Sequence, residues 1–174
     1  MKKVAWFLSA AMLCALVLAQ AQGAEKKGAA KAKAPAPQEA LDALNDLGKN
    51  EVKIVSPELG FQVCHYALGL NGKVLAITEN CTATVGNEEM VPTSEIYSAA
   101  LPDLMPEVKA AKDEAKNFFV ELVCKKKAGS CFSHSNREGY EYGDFTRHLF
   151  FYPGDSDAKR AAKAWAQLIK SAGK

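Results

Sequence analysis

Five cysteines and three histidines hold most of the nucleophilic and metal-ligating capacity of this 174-residue chain. Cys14 lies inside an apolar N-terminal run, which leaves Cys64, Cys81, Cys124 and Cys131. Four is an even number, and in an oxidising compartment the default for such a set is structural disulfides. Three pairings are open. Cys64–Cys81 with Cys124–Cys131 is favoured, because each bond would join the arms of one predicted hairpin. On the chain-entropy model, loops of this length contribute about 2.5–3 kcal/mol apiece. A metal site built from Cys124, Cys131 and His134 is the competing chemistry. Its Cys-x6-Cys-x2-His spacing matches no usual zinc pattern. A thiol oxidoreductase would place Cys-x-x-Cys at a helix start, and that motif is absent.

Nucleophilic catalysis needs a Ser or Cys placed by a base and an orienting acid. His65, His134 and His148 are available, but none sits in a motif such as Gly-x-Ser-x-Gly. Glu88-Glu89 reads as a solvated turn. No phosphate loop or dinucleotide fingerprint is present, so no cofactor is expected and the protein reads as a non-enzyme. Residues 134–144, HSNREGYEYGD, are expected to form a polar loop. This loop is the candidate recognition element. Arg137 offers a bidentate donor, and Tyr140 and Tyr142 offer aromatic area, the residue types enriched at binding hot spots. His134 opens it.

Composition narrows the classes further. With 48% hydrophobic residues the chain is not a disordered polyelectrolyte. A net charge of +2 makes no case for nucleic-acid binding, which needs concentrated basic charge. The N-terminus explains part of that charge. Met1-Lys2-Lys3 is a short basic start, residues 4–19 are an apolar run interrupted only by Ser9, and Ala19-Gln20-Ala21 places small residues at a cleavage position. Together these read as a secretory signal over residues 1–21. The apolar run is shorter than the roughly 20 residues of a spanning helix. Removing Lys2 and Lys3 leaves a mature chain with no formal net charge and no further apolar run long enough to span. Residues 22–37 are rich in Ala, Lys and Pro without a large apolar side chain, and read as a flexible tether. Residues 38–174 are expected to form one globular domain.

Certain elements must position the candidate residues. Ala40, Leu41, Leu44 and Leu47 lie at helical spacing before Gly48. Residues 61–70 and 73–81 read as strands around Asn71-Gly72, a type I′ turn signal. That turn would pair Leu70 with Lys73, Leu68 with Leu75, Tyr66 with Ile77 and Cys64 with Glu79. Cys81 would then lie diagonal to Cys64, on the same apolar face. The opposite face would carry His65, Ala67, Val74, Ala76 and Thr78. Residues 94–101 are a candidate strand. Residues 107–116 are ambiguous: local composition favours a helix, while a hairpin would make residues 112–116 its turn. Residues 117–124 alternate as a strand, turn over residues 125–130, and return from Cys131. Residues 145–152 read as a last strand. A final helix, capped by Asp155 or Ser156, carries Ala158, Ala161, Ala162, Trp165, Leu168, Ile169 and Ala172 as one apolar stripe.

The stretch FFVELVCKKKAGSCF, a polar loop, RHLFFYP and then DSDAKRAAKAWAQLIKSAG resembles the end of a small bacterial domain of the pleckstrin-homology-like superfold. The resemblance covers about the last 70 residues. It implies an α+β fold: a bent antiparallel sheet or open barrel closed by a C-terminal amphipathic helix. It also implies the hairpin reading of residues 108–124, with the Asn-Gly hairpin as the first two strands. The superfold hosts many ligands, so the resemblance implies a binding module without naming its ligand. The phosphoinositide-reading basic loop of its best-known members has no counterpart here. The function expected is an exported, non-enzymatic binding or protein-interaction module of the bacterial envelope, periplasmic or secreted. Its partner would be a protein or an envelope ligand. A small periplasmic enzyme with an unrecognised site and a structural envelope protein are the alternatives.

Overall fold

The long hairpin sets the frame. The computed structural model describes residues 36–57, 60–86, 88–139 and 141–173. The signal reading and nearly all of the tether lie outside them, as do Tyr140 and part of the first strand connection. β2 (Gly60–Asn71) and β3 (Val74–Val85) run antiparallel, with Asn71 opposite Val74. Gly72 and Lys73 are therefore the turn residues, and Gly72 has φ +60°. Positive φ at the first central position alone is the type II′ arrangement, not type I′. The pairing is two residues away from that expected. Leu70 faces Leu75, Leu68 faces Ile77, Tyr66 faces Glu79 and Cys64 directly faces Cys81. A shift of two preserves every side-chain direction. Cys64, Tyr66, Leu68, Leu75 and Ile77 are accordingly buried, and His65, Ala67, Val74 and Ala76 exposed.

β1 (Val52–Ser56) flanks β2, while β5 (Thr93–Ala100) flanks β3. β4 (Glu88–Glu89) pairs with the far end of β3. β8 (Phe132–Asn136) and β9 (Glu141–Phe145) complete the large sheet in the order β1-β2-β3-β5-β8-β9. A second sheet, in the order β10-β7-β6, contains β6 (Ala110–Lys112), β7 (Phe118–Val123) and β10 (Arg147–Tyr152). Every pairing is antiparallel, and the sheets do not close into a barrel.

Three local readings change. The ambiguous segment forms the β6–β7 hairpin, not a helix. Val108 and Ala110 pack on the core, and the Asp113 carboxylate accepts hydrogen bonds from the Asn117 backbone and side chain to hold the turn. Residues 117–124 and the return from Cys131 are not two arms of one hairpin. β7 pairs with β6 and β10, whereas β8 crosses to β5 in the other sheet. The stretch 145–152 also divides: Phe145 ends β9, and after Thr146 the chain enters the second sheet as β10.

Two helices cover the sheets. α1 (Ala36–Gly48) starts before the expected Gln38, with Pro37 in its first turn, where a missing N–H costs little. Ala40, Leu41, Leu44 and Leu47 are its buried stripe. Asn45 clips it to β2: its Oδ1 accepts from Leu68 N at 2.7 Å and its Nδ2 donates to Leu68 O at 3.0 Å. Gly48 ends the helix against Tyr66, where a Cβ would come within 2.5 Å of the ring. α2 (Asp155–Ala172) buries all seven residues of its expected stripe. Its N-cap is Gly154 instead of Asp155 or Ser156, which leaves Asp155 and Asp157 in the first turn beside the positive helix end. Trp165 is fully buried. Its indole stacks obliquely on Phe150, with centroids 4.8 Å apart, and Nε1 donates to Tyr152 Oη at 3.2 Å. Tyr66 Oη donates to the same oxygen at 2.8 Å, so one polar junction ties β2, β10 and α2 inside the core. The fold is thus α+β, with the C-terminal helix packed against strands.

Candidate binding site at the uncovered end of the inner face

Pairing across β2, β3, β5 and β8 arranges the inner face in rows. One row runs Leu68, Ile77, Tyr97 and His134. The next is Tyr66, Glu79, Glu95 and Asn136, and beyond it lie Cys64, Cys81 and Thr93. Directly opposed residues share a face, so these side chains point the same way. The rows pass from aliphatic core through aromatic and acidic groups to the disulfide. Beyond the disulfide Gln62 and Val85 are exposed, and the core gives out.

The middle rows form a packed polar cluster. His134 Nε2 lies 2.8 Å from Glu95 Oε2. The His134 ring stacks on Tyr97 at 4.3 Å and 12°, with Tyr142 at 4.8 Å on its flank. His148 reaches in from β10 to the same tyrosine, with centroids 4.3 Å apart. Burial, and then the neighbouring His134, pushes the His148 imidazole down to about 4. Burial pushes the Glu79 carboxyl up to about 7, and repulsion by Glu95 opposite adds to this. Tyr97 is pushed up to about 12 by burial and by both carboxylates. Glu79 therefore stays largely protonated at mildly acidic pH.

Two cavities open beside this cluster and share Thr93. The first, of about 390 Å³, is walled by Phe61, Ala83, Val85, Met90 and Val91, with Cys81 in its lining. Val91 is 83% exposed. The second, of about 360 Å³, is polar and bounded by Glu95, Asn136, Arg137, Glu138 and Tyr142. The two meet at Thr93, the first walled mainly by apolar residues and the second by acidic and polar ones, as the two halves of a candidate groove.

Three of the four expected recognition residues meet here. Arg137 and Tyr142 line the acidic half, and Tyr142 Oη accepts from Asn136 Nδ2 at 3.1 Å. His134 lies one row away, stacked within the sheet. Tyr140 is outside the described residues. Residues 134–144 do not form a loop but the β8–β9 hairpin, turned at Gly139 with φ +84°. Glu79, Glu95 and Tyr97 join the site without having been singled out in the sequence, and His148, weighed there only as a possible catalytic base, joins it from β10. The signal for Glu79 is its parity: a carboxylate continues the buried face of Leu75 and Ile77.

Both expected disulfides are present, Cys64–Cys81 and Cys124–Cys131, consistent with an oxidising compartment. The first joins two arms of a hairpin. The second spans the crossover between sheets, so its expected pairing holds for a different reason. A Glu79 carboxylate oxygen and the sulfurs of Cys64 and Cys81 lie within 4.8 Å of one another. With the sulfurs bonded to each other they offer no thiolate to a metal. The same applies to Cys124 and Cys131, and His134 is engaged with Glu95. Among the described residues no helix is long and apolar enough to cross a membrane. Compared with known proteins, the chain matches no protein-family model, no curated protein and no solved structure.

Proposed function

We propose that this protein is an exported, non-enzymatic binding module that seats a short segment of a partner protein in the groove between Val91 and Tyr142. The observation that carries the reading is the groove itself. The inner face of a long hairpin runs past its core, and its apolar half keeps Val85, Met90 and Val91 at least 47% exposed. Clustered exposed apolar surface rimmed by polar groups marks interaction sites. The other half carries Glu95 and Glu138 against the single cation Arg137. The occupant is therefore an extended peptide with a large apolar side chain next to a basic one. Export to the periplasm or beyond is supported by the basic–apolar–small pattern of residues 1–21 and by the two disulfides. A C-terminal helix docked across antiparallel strands supports keeping the pleckstrin-homology-like likeness as part of this proposal.

A hexapeptide array tests the reading, with Leu or Phe fixed and Lys, Ala or Glu placed one to three positions later. The Lys series should be retained best. Val91→Asp should weaken that binding by about tenfold or more, equivalent to about 1.4 kcal/mol. Glu95→Gln should reduce the preference for Lys over Ala. Retention that favours Glu, or that ignores Val91, would remove the groove as the binding site. Intact mass of the exported protein should show loss of about 21–23 residues.

A further inference from the structure

The Cys64–Cys81 bond stands where the apolar half of the groove meets the acidic row, and its two sulfurs are not equivalent. Cys81 lines the groove, whereas Cys64 is 5% exposed. Attack from the groove would therefore fall on Cys81, with the buried Cys64 as the leaving group. A thiolate released into that buried position would be strongly disfavoured unless it gained a proton. Glu79 is the acidic group nearest at hand in this cluster: one of its carboxylate oxygens lies within 4.8 Å of both sulfurs, so a side-chain movement would bring it to donate.

We infer that Cys64–Cys81 is a thiol-exchange site that captures a partner's cysteine as a mixed disulfide on Cys81, with Glu79 as the acid for Cys64. A partner thiolate attacks Cys81 Sγ. The new sulfur–sulfur bond forms as the Cys64–Cys81 bond breaks, and the departing Cys64 sulfur takes the proton of the Glu79 carboxylic acid. One disulfide is made and one is lost, so no outside oxidant or reductant is required. Release is the reverse: Glu79 carboxylate takes back the proton, and Cys64 attacks Cys81 and expels the partner thiolate. The exchange is stoichiometric capture, not turnover. It rests on the groove reading only for what brings a partner cysteine near, and the chemistry can be tested without a peptide.

Several groups face Glu79. Tyr66 of β2 and Glu95 of β5 are directly across, with Tyr97 one row inward and His134 of β8 paired to Glu95. Tyr152 of β10 meets the Tyr66 hydroxyl. None of these is a cation poised to hold a free thiolate, since His134 is turned to Glu95. Glu79 retains its proton up to about pH 7, which matches the role. Among the described residues, no comparable carboxylate group gathers around Cys124 and Cys131. That second disulfide is an internal control in the same molecule.

The full chain is treated with 2-mercaptoethanol from about pH 6 to 8.5, acid-quenched, alkylated and mapped by mass. The adduct is expected on Cys81, with Cys64 free, at least about tenfold faster than opening of Cys124–Cys131. The rate per thiolate should fall as pH rises through about 7, when Glu79 loses its proton. Glu79→Gln should be slower below that pH and show no such fall. Exchange on Cys81 by the small thiol without any retention of the Lys-series peptides would leave this inference standing and remove the groove reading, whereas peptide retention without a Cys81 adduct would do the reverse. Adducts on Cys64, equal opening of both disulfides, or a flat wild-type profile would overturn the inference. The regiochemistry and the wild-type profile need no variant, so a poorly folding Glu79→Gln would not protect it.

Discussion

Glu79 and His148 pull the pH dependence of stability in opposite directions. The Glu79 carboxyl rises from 4.5 to about 7 on folding, so the native state holds its proton more tightly. That contribution is fully present below pH 4.5 and is lost as pH rises to about 7. The His148 imidazole falls from 6.5 to about 4, so the unfolded state is the better proton acceptor. Its contribution is present above pH 6.5 and is lost as pH falls to about 4. Each is on the order of 3 kcal/mol, and they offset between the two windows. Urea unfolding across pH should therefore show a shallow wild-type profile. Glu79→Gln should gain stability from pH 4.5 to 6.5, exposing the histidine slope. His148→Phe should lose stability from pH 4.5 to 7. Parallel profiles for the three proteins would show that neither group is buried as described. Much of this was hidden in the sequence. The parity of Glu79 could be read from the alternation in β3, but Glu95 faces it only through β3–β5 pairing. His148 meets Tyr97 only because β10 belongs to the other sheet.

Elements with a short-range period were legible, and those defined by distant partners were not. The α2 stripe follows from 3.6-residue spacing alone, and all seven expected positions are buried. Residues 107–116 misled because Ala, Lys and Glu favour a helix locally, while burial of Val108 and Ala110 rewards the extended form. The Asn71-Gly72 signal located the hairpin but could centre its turn on either of two residue pairs. The structure chose Gly72-Lys73, and that choice sets Cys64 opposite Cys81 with Cα atoms 4.1 Å apart. The β8 partner was misassigned because alternation identifies a strand without saying which sheet it joins. For α2 the expected outcome is a sharp contrast. Trp165→Ala opens a large cavity and leaves Tyr152 without one of its two donors, at a cost of about 3–5 kcal/mol. Lys163→Ala on the exposed face should change stability by less than about 0.5 kcal/mol. Urea midpoints of the two variants beside wild type would decide it, and equal small effects would mean that the helix does not close the core.

At the scale of the whole molecule, the two sheets and two α-helices of the described residues are joined by a few ties. The core junction of Tyr66, Tyr152 and Trp165 is one, and Cys124–Cys131 across the sheet crossover is another. A third is Asn117, at the β6–β7 turn of the small sheet. Its Oδ1 accepts from Val55 N and its Nδ2 donates to Val55 O, each at 2.9 Å. Val55 lies on β1, the outermost strand of the large sheet, with its side chain 42% exposed. The amide thus occupies the donor and acceptor that a neighbouring polypeptide would use to extend the sheet. Unprotected strand edges are templates for aggregation. Asn117 is consequently a guard of solubility as well as a tie within the fold. Asn117→Ala should unfold within about 1–2 kcal/mol of wild type, since it loses exposed hydrogen bonds, yet it should self-associate on concentration. Sedimentation velocity would reveal dimers or larger species in the variant and not in wild type. A strictly monomeric variant would show that the edge is shielded by other means. On this view one side-chain amide, remote from the groove, governs how crowded an environment the protein can occupy before copies begin to add to one another.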